Sequence, residues 1–224
     1  MQTVKNLKKL VIFDLDGTLV DSIEDLADAV NYALMRNNLP ENSLSEYYYF
    51  VGNGMEHLVR SALREKGSDD KLYKIVRADF DAYYEKHSND KTRAYEGMGE
   101  LLKSLSQKGI DTAVLSNKAQ VYLSAILRKA FPEHKFSAEF GQSEGIERKP
   151  HPQALLLLLK ELGYEKSECV FVGDSDVDII TAKNAEVDSV GVLWGFRTRE
   201  ELIKSGAKNL AETPKELEKL IYKL

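Results

Sequence analysis

The chain has a single cysteine, Cys169, in 224 residues, which excludes an internal disulfide. It lies in the apolar run Cys169-Val170-Phe171-Val172, the setting of a buried, inert thiol rather than a nucleophile. No apolar stretch approaches the roughly 20 residues of a membrane-spanning helix. Positive charge is not in excess either: the formal net charge is −5, so neither nucleic acid nor an anionic membrane is an expected partner. Lys5, Lys8 and Lys9 ahead of Leu10-Val11-Ile12-Phe13 imitate a secretory signal, but the apolar run is too short and stops at Asp14. The cytoplasm is the expected compartment. The histidines His57, His87, His134 and His151 lack metal-ligand spacing. No internal repeat or low-complexity segment is visible. An anionic substrate would therefore need local positive charge, from a metal ion or a few placed cations.

What is present is an ordinary globular balance, 43% apolar and 30% charged, in a length that suits one large domain or two smaller ones. Leu10-Val11-Ile12-Phe13 reads as a buried strand. It runs into Asp14-Leu15-Asp16-Gly17-Thr18-Leu19. In extended chain Asp14 and Asp16 point to the same side, and Gly17 permits a sharp turn and close approach of a ligand. Two acids so spaced can hold a divalent cation, or one can attack while the other moves a proton. The bland alternative is a polar turn after a core strand.

Beyond this turn, Ser22 with Asp25 forms a capping-box-like start to a helix whose apolar face is Ile23, Leu26, Ala27, Val30, Ala33 and Leu34. The helix is expected to stop before Pro40. Leu44 to Phe50 is either a short helix or an irregular aromatic segment, and Val51-Gly52-Asn53-Gly54 is a turn. Two further helical patterns follow, so residues 21–90 read as helix and turn without a strand. From Thr92 onward short strands alternate with helices, at 112–115, 136–140, 170–172 and 189–193. Thr213-Pro214-Lys215-Glu216 marks a last helix start. Such alternation implies right-handed βαβ units and a parallel sheet. The expected organisation is an α/β core of residues 1–20 and 91–224, with residues 21–90 inserted as a helical lid over the carboxyl ends of the strands.

Those ends carry polar groups: Asp14, Asp16 and Thr18, then Ser116 and Asn117, then Asp174, Ser175 and Asp178, with Lys149 ahead of a helix. In a parallel sheet they share one edge. Asp14 and Asp174 can hold Mg²⁺, a hard cation that prefers oxygen ligands. Lys149 adds a second positive charge, and Ser116 with turn N–H groups can bind phosphate oxygens.

With these residues in order, the chain resembles the haloacid dehalogenase superfamily, in its branch of phosphatases with a small helical cap. The resemblance rests on Asp14-Leu15-Asp16-Gly17-Thr18-Leu19, Ser116, Lys149, and Gly173-Asp174-Ser175 with Asp178, and it covers essentially the whole chain. It implies a Rossmann-like sheet of five parallel strands, ordered 5-4-1-2-3, with an inserted all-helical cap. It also implies roles. Asp14 is the nucleophile that forms an aspartyl-phosphate, and Asp16 is the general acid and then the base. Asp14, the Asp16 carbonyl and Asp174 hold Mg²⁺. Ser116, Asn117 and Lys149 grip the phosphate and Thr18 supports the loop at the phosphate. Asp178 and Ser175 act from behind. Asp16 matters for the reaction, because dehalogenases of the superfamily lack this second acid; its presence implies an oxygen leaving group.

Within the superfamily, Thr18-Leu19-Val20-Asp21-Ser22, Val51-Gly52-Asn53-Gly54 and Trp194-Gly195-Phe196-Arg197 resemble phosphoglycolate phosphatases. The cap residues Gly52, Asn53 and Gly54 would then face the leaving group, their backbone N–H groups meeting a carboxylate. The expected partner is a small phosphorylated metabolite, with the protein a monomer or homodimer. Inorganic pyrophosphatases and β-phosphoglucomutase-like mutases share these features and stand as alternatives. A non-catalytic binding module on the same scaffold is the remote one.

Overall fold

The computed structural model describes residues 8–224, so Lys5 lies outside the described residues. In chain order the first part comprises β1 (Leu10–Phe13), β2 (Val20–Asp21), α1 (Ile23–Arg36), α2 (Leu44–Phe50), α3 (Gly54–Ala62), α4 (Asp70–His87) and β3 (Arg93–Ala94). The second part comprises α5 (Met98–Gln107), β4 (Asp111–Ala119), α6 (Gln120–Ala130), β5 (Ala138–Gln142), α7 (Gln153–Leu162) and β6 (Cys169–Gly173). It continues with α8 (Asp176–Ala185), β7 (Asp188–Val192), α9 (Arg199–Lys204), β8 (Leu210–Ala211) and α10 (Pro214–Ile221).

The unbroken apolar run of β1 has a direct cause: the strand is central and covered on both faces. It pairs in parallel with β4 on one side and β6 on the other. Leu10 and Ile12 join a layer with Leu155, Leu158 and Leu159 of α7. Val11 and Phe13 join the opposite layer with Leu102 and Leu105 of α5 and Leu217 and Ile221 of α10. Full burial of each such side chain is worth about 1.5–3 kcal/mol, so β1 alone anchors both layers.

The expectation of a five-stranded sheet ordered 5-4-1-2-3 is corrected. The main sheet has six strands, all parallel, and runs β5-β4-β1-β6-β7-β8. Two features too short for a periodic signal account for the difference. β8 is a two-residue strand that widens the sheet beyond β7. β2 and β3 form a separate antiparallel pair at the neck where the chain leaves and re-enters the core. Asp21 thus ends a strand rather than starting a purely helical stretch.

Helices α1 to α4 share their own apolar cluster, which includes Leu26, Val30, Tyr47, Leu58, Val76, Phe80 and Tyr84. One residue of the α/β part, Phe196, belongs to this cluster as well. Leu44–Phe50 resolves as a helix, with Ser43 and Glu46 forming a capping box. The capping box expected of Ser22 and Asp25 does not form. The Ser22 hydroxyl donates to Asp16 Oδ1 instead (2.5 Å). Asp25, almost wholly buried, accepts from Lys91 N–H, Thr92 N–H and the Thr92 hydroxyl at the neck. Both side chains serve tertiary contacts. Thr213 does cap α10, accepting from Glu216 N–H. No helix among the described residues is long and apolar enough to cross a membrane.

Candidate active site

The carboxyl ends of β1, β4 and β6 lie side by side, so the polar residues that follow each strand converge. Asp14, Asp174 and Asp178 are all buried, and each offers a carboxylate oxygen within 4.8 Å of the others. Lys149 reaches in from the loop before α7 and places Nζ 2.9 Å from Asp14 Oδ1 and 2.7 Å from Asp178 Oδ1. Burial pushes the Asp14 carboxyl up to about 8, reinforced by the charge of Asp178 and opposed by Lys149. Burial, followed by Asp178, pushes Asp174 up to about 7. Fully ionised, the three carboxylates would exceed the one ammonium by two negative charges in a buried site. An all-oxygen donor set with that deficit fits a divalent cation.

The ring of contacts around Asp174 fixes its orientation. Thr18 donates its hydroxyl to Asp174 Oδ1 (3.1 Å), and the Phe196 N–H donates to Oδ2 (2.8 Å). Gly17, at φ +86°, and Gly195 approach the same side chain so closely that a Cβ on either would lie 2.4 or 2.3 Å from its atoms. Asp178 is held in turn: Lys149 occupies Oδ1, while the Ser175 N–H and hydroxyl donate to Oδ2.

Asp16 is set apart from this cluster. Its carboxylate pairs with Lys118 Nζ at 2.9 and 3.1 Å and accepts from Ser22. Lys118 follows Ser116 on β4, which continues past its apolar stretch to Ala119. The Ser116-Asn117-Lys118 segment is buried strand rather than the expected turn, because its side chains face the site and not solvent. Asn117 is a brace: its Nδ2 donates to the carbonyls of Gly52 and Lys149, and its Oδ1 accepts from the Lys149 N–H.

A small cavity of about 40 Å³ lies between the strand ends and the helical insertion. Asp14, Asp16, Ser116, Asn117 and Lys118 form its polar walls, and Leu26, Val51, Met55 and Leu58 with Gly52 and Gly54 form the rest. Of the expected site residues, Asp14, Asp16, Ser116, Asn117, Gly52 and Gly54 line it. Thr18 and Ser175 are turned toward Asp174 and Asp178, and Asn53 sits at the start of α3 outside the lining.

Two groups of contacts went unnoticed in the sequence. Lys118 is the first. The alternation that pairs Asp14 with Asp16 also pairs Ser116 with Lys118, and it would have found it. The second is a strap formed by Trp194-Gly195-Phe196-Arg197. Trp194 Nε1 donates to the Thr18 carbonyl (3.0 Å), and the Phe196 ring packs edge-on against Tyr48. Arg197 donates to the carbonyls of Tyr48 and Val51 at the end of α2.

The sequence profile of the haloacid dehalogenase-like hydrolases matches residues 11–192 of this chain. The chain is 34% identical to the phosphoglycolate phosphatase of Colwellia psychrerythraea, over 94% of its own length and 95% of that protein. It is 36% identical to the phosphoglycolate phosphatase of Pseudomonas putida, over 85% of its own length and 71% of that protein. Among solved structures, a protein of Lactobacillus delbrueckii subsp. bulgaricus assigned as a phosphoglycolate phosphatase superposes with a TM-score of 0.91. It is 32% identical, and the match covers 96% of this chain and 99% of that one.

Proposed function

The chain belongs to the haloacid dehalogenase-like hydrolase family, and we propose that it is a cytoplasmic, Mg²⁺-dependent phosphatase of small phosphate monoesters, with 2-phosphoglycolate as substrate. The observation that carries this reading is the division of charge at the strand ends. Three buried carboxylates cluster together, two of them, Asp14 and Asp178, paired with Lys149, while a fourth, Asp16, stands apart on its own lysine beside the cavity. The core of 1–20 and 91–224 supplies the chemistry, and the insertion of 21–90 encloses the leaving group.

Asp14 attacks phosphorus through a carboxylate oxygen, and the ester bond breaks as Asp16 protonates the departing alkoxide. Asp16, now ionised, takes a proton from a water that attacks the phospho-aspartate, releasing phosphate and regenerating Asp14. Lys149 holds Asp14 in place and balances the incoming phosphate, with Ser116 and Asn117 beside it. Asp14, the Asp16 carbonyl and Asp174 would hold the Mg²⁺, whose charge offsets the repulsion between carboxylate and phosphate. Thr18, Ser175 and Asp178 keep Asp174 and Lys149 aimed. Gly52, Asn53 and Gly54 close over the leaving group. The apolar side chains Leu26, Val51, Met55 and Leu58 offer no partners to the hydroxyls of a sugar, which favours a phosphatase of small esters over a sugar-phosphate mutase.

The test is phosphate release from phosphoglycolate, sugar phosphates, nucleotides and pyrophosphate, with Mg²⁺ and with EDTA. Phosphoglycolate should stand out, EDTA should silence the enzyme, and Asp14→Asn should abolish turnover without unfolding it. Equal turnover of unrelated esters would remove the substrate assignment, and an active Asp14→Asn would remove the mechanism.

A further inference from the structure

Lys118 has no part in the machinery just described, yet it is a buried cation on the cavity wall, with its side chain 1% exposed. Among the residues lining that cavity it is the one that bears positive charge. Its Nζ contacts both oxygens of Asp16, and the Tyr84 ring of α4 covers it at 5.2 Å. The side chains that the helical insertion adds to the cavity are apolar: Leu26, Met55 and Leu58 offer a leaving group no polar partner.

Resting on the phosphatase reading above, we propose that Lys118 is the specificity-determining residue, the cation that receives the carboxylate of the leaving group. The enzyme is thereby selective for phosphate monoesters of 2-hydroxycarboxylates. The geometry follows from what Asp16 must do. To protonate the ester oxygen, Asp16 has to touch it, so the ammonium bound to Asp16 lies one short step from that oxygen. In a 2-hydroxycarboxylate phosphate the carboxylate is one carbon from the same oxygen. It therefore arrives at Lys118 when the ester oxygen arrives at Asp16. The exchange is also electrostatically economical. A buried ammonium shared with, or passed from, Asp16 to a substrate carboxylate is never left unpaired, whereas an uncharged leaving group offers it nothing. The first turn of α3, at Gly54 on the opposite wall, can add backbone N–H donors to the same anion.

The test compares phosphoglycolate with ethyl phosphate, which lacks the carboxylate, on the full chain with Mg²⁺. The wild-type protein should prefer phosphoglycolate by about 10⁴-fold or more in kcat/KM, the scale on which sites built for a polar group reject its absence. Lys118→Met should bring the ratio to within about tenfold, and Lys118→Arg should retain more of it than Lys118→Met. A structural role for Lys118 would lower both substrates together and leave the ratio unchanged; that result overturns the proposal while the phosphatase reading stands. A wild-type protein without phosphatase activity would instead remove the reading itself. A second measurement does not depend on how Lys118 variants fold. In an inactive Asp14→Asn background, adding Asp16→Asn removes the competitor for Lys118. Calorimetric binding of phosphoglycolate should then tighten by more than that of ethyl phosphate; an equal change in both, or none, counts against the proposal.

Discussion

Replacing Lys149 with methionine tests the charge arrangement of the site through stability alone. The substitution keeps the length of the stem and removes the ammonium that lies 2.9 Å from Asp14 and 2.7 Å from Asp178. Both carboxylates are buried, so water cannot replace the lost partner. Breaking a buried pair from one side costs about 3–5 kcal/mol, because the remaining charge is stranded. In a chain of 224 residues that corresponds to a fall in Tm of roughly 6–20 °C. The assay is thermal unfolding by circular dichroism in EDTA at about pH 9, above the values of Asp14 and Asp174, where both are ionised. Two internal checks sharpen it. Adding Asp178→Asn removes a stranded charge, so the double variant should be more stable than the sum of the single losses, by about 0.5–3 kcal/mol. Mg²⁺ should raise the Tm of Lys149→Met by more than that of wild type, since the variant has one more unmatched negative charge to offer it. A Tm loss under about 2 °C in EDTA, equivalent to under about 1 kcal/mol, would refute the reasoning. It would mean that the carboxylates are solvated or neutral without Lys149.

Further outcomes follow from other parts of the molecule. Asp14 and Asp174 are held above their ordinary values, at about 8 and about 7, so without metal the folded state retains protons that the unfolded chain has released above about pH 4. The Tm in EDTA should therefore fall as pH rises from about 5 to 8, at about 1.4 kcal/mol per pH unit for each extra proton held; a Tm rising over that range would contradict the assignment. Mg²⁺ should protect more at pH 8 than at pH 5. Gly195→Ala would drive a Cβ to 2.3 Å from Asp174 and from the Gly17 carbonyl. It should weaken Mg²⁺ affinity about 10–100-fold in an activity titration, and unchanged affinity would show that the strap does not position Asp174. Asp25→Ala strands the buried Thr92 N–H and hydroxyl at the neck. It should cost about 1–3 kcal/mol for each in chemical denaturation, and a neutral result would mean that water reaches the neck.

The parts of the molecule that were legible in the sequence share a property: their signals are local. β1 announces itself as an apolar run closed by Asp14 and Asp16, and Lys149 and Asp174 sit at element ends where a parallel sheet gathers side chains. The parts that were not legible are set by partners far along the chain. Ser116-Asn117-Lys118 looks like a turn because polar residues after an apolar run usually meet water; here they meet the site, and the strand continues. Ser22 and Asp25 carry the spacing of a helix start, but Asp16 and Thr92 outcompete the helix for them. β2 and β8 are two residues each and have no period to detect. Nothing near Arg197 in sequence reveals that its guanidinium binds the carbonyls at the end of α2.

That strap bears on how such enzymes could be recombined. A protein engineer who transplanted the 21–90 segment onto a relative's core would carry across the cavity wall of Leu26, Met55 and Leu58 and leave Lys118 behind. Phe196 and Arg197, which dock that segment, would stay behind on the recipient. So would the Phe196 N–H that holds Asp174. The unit of exchange is discontinuous. It consists of the helical insertion and a four-residue patch more than a hundred positions later, and a chimera that respects only the first would inherit a cavity wall it cannot seat.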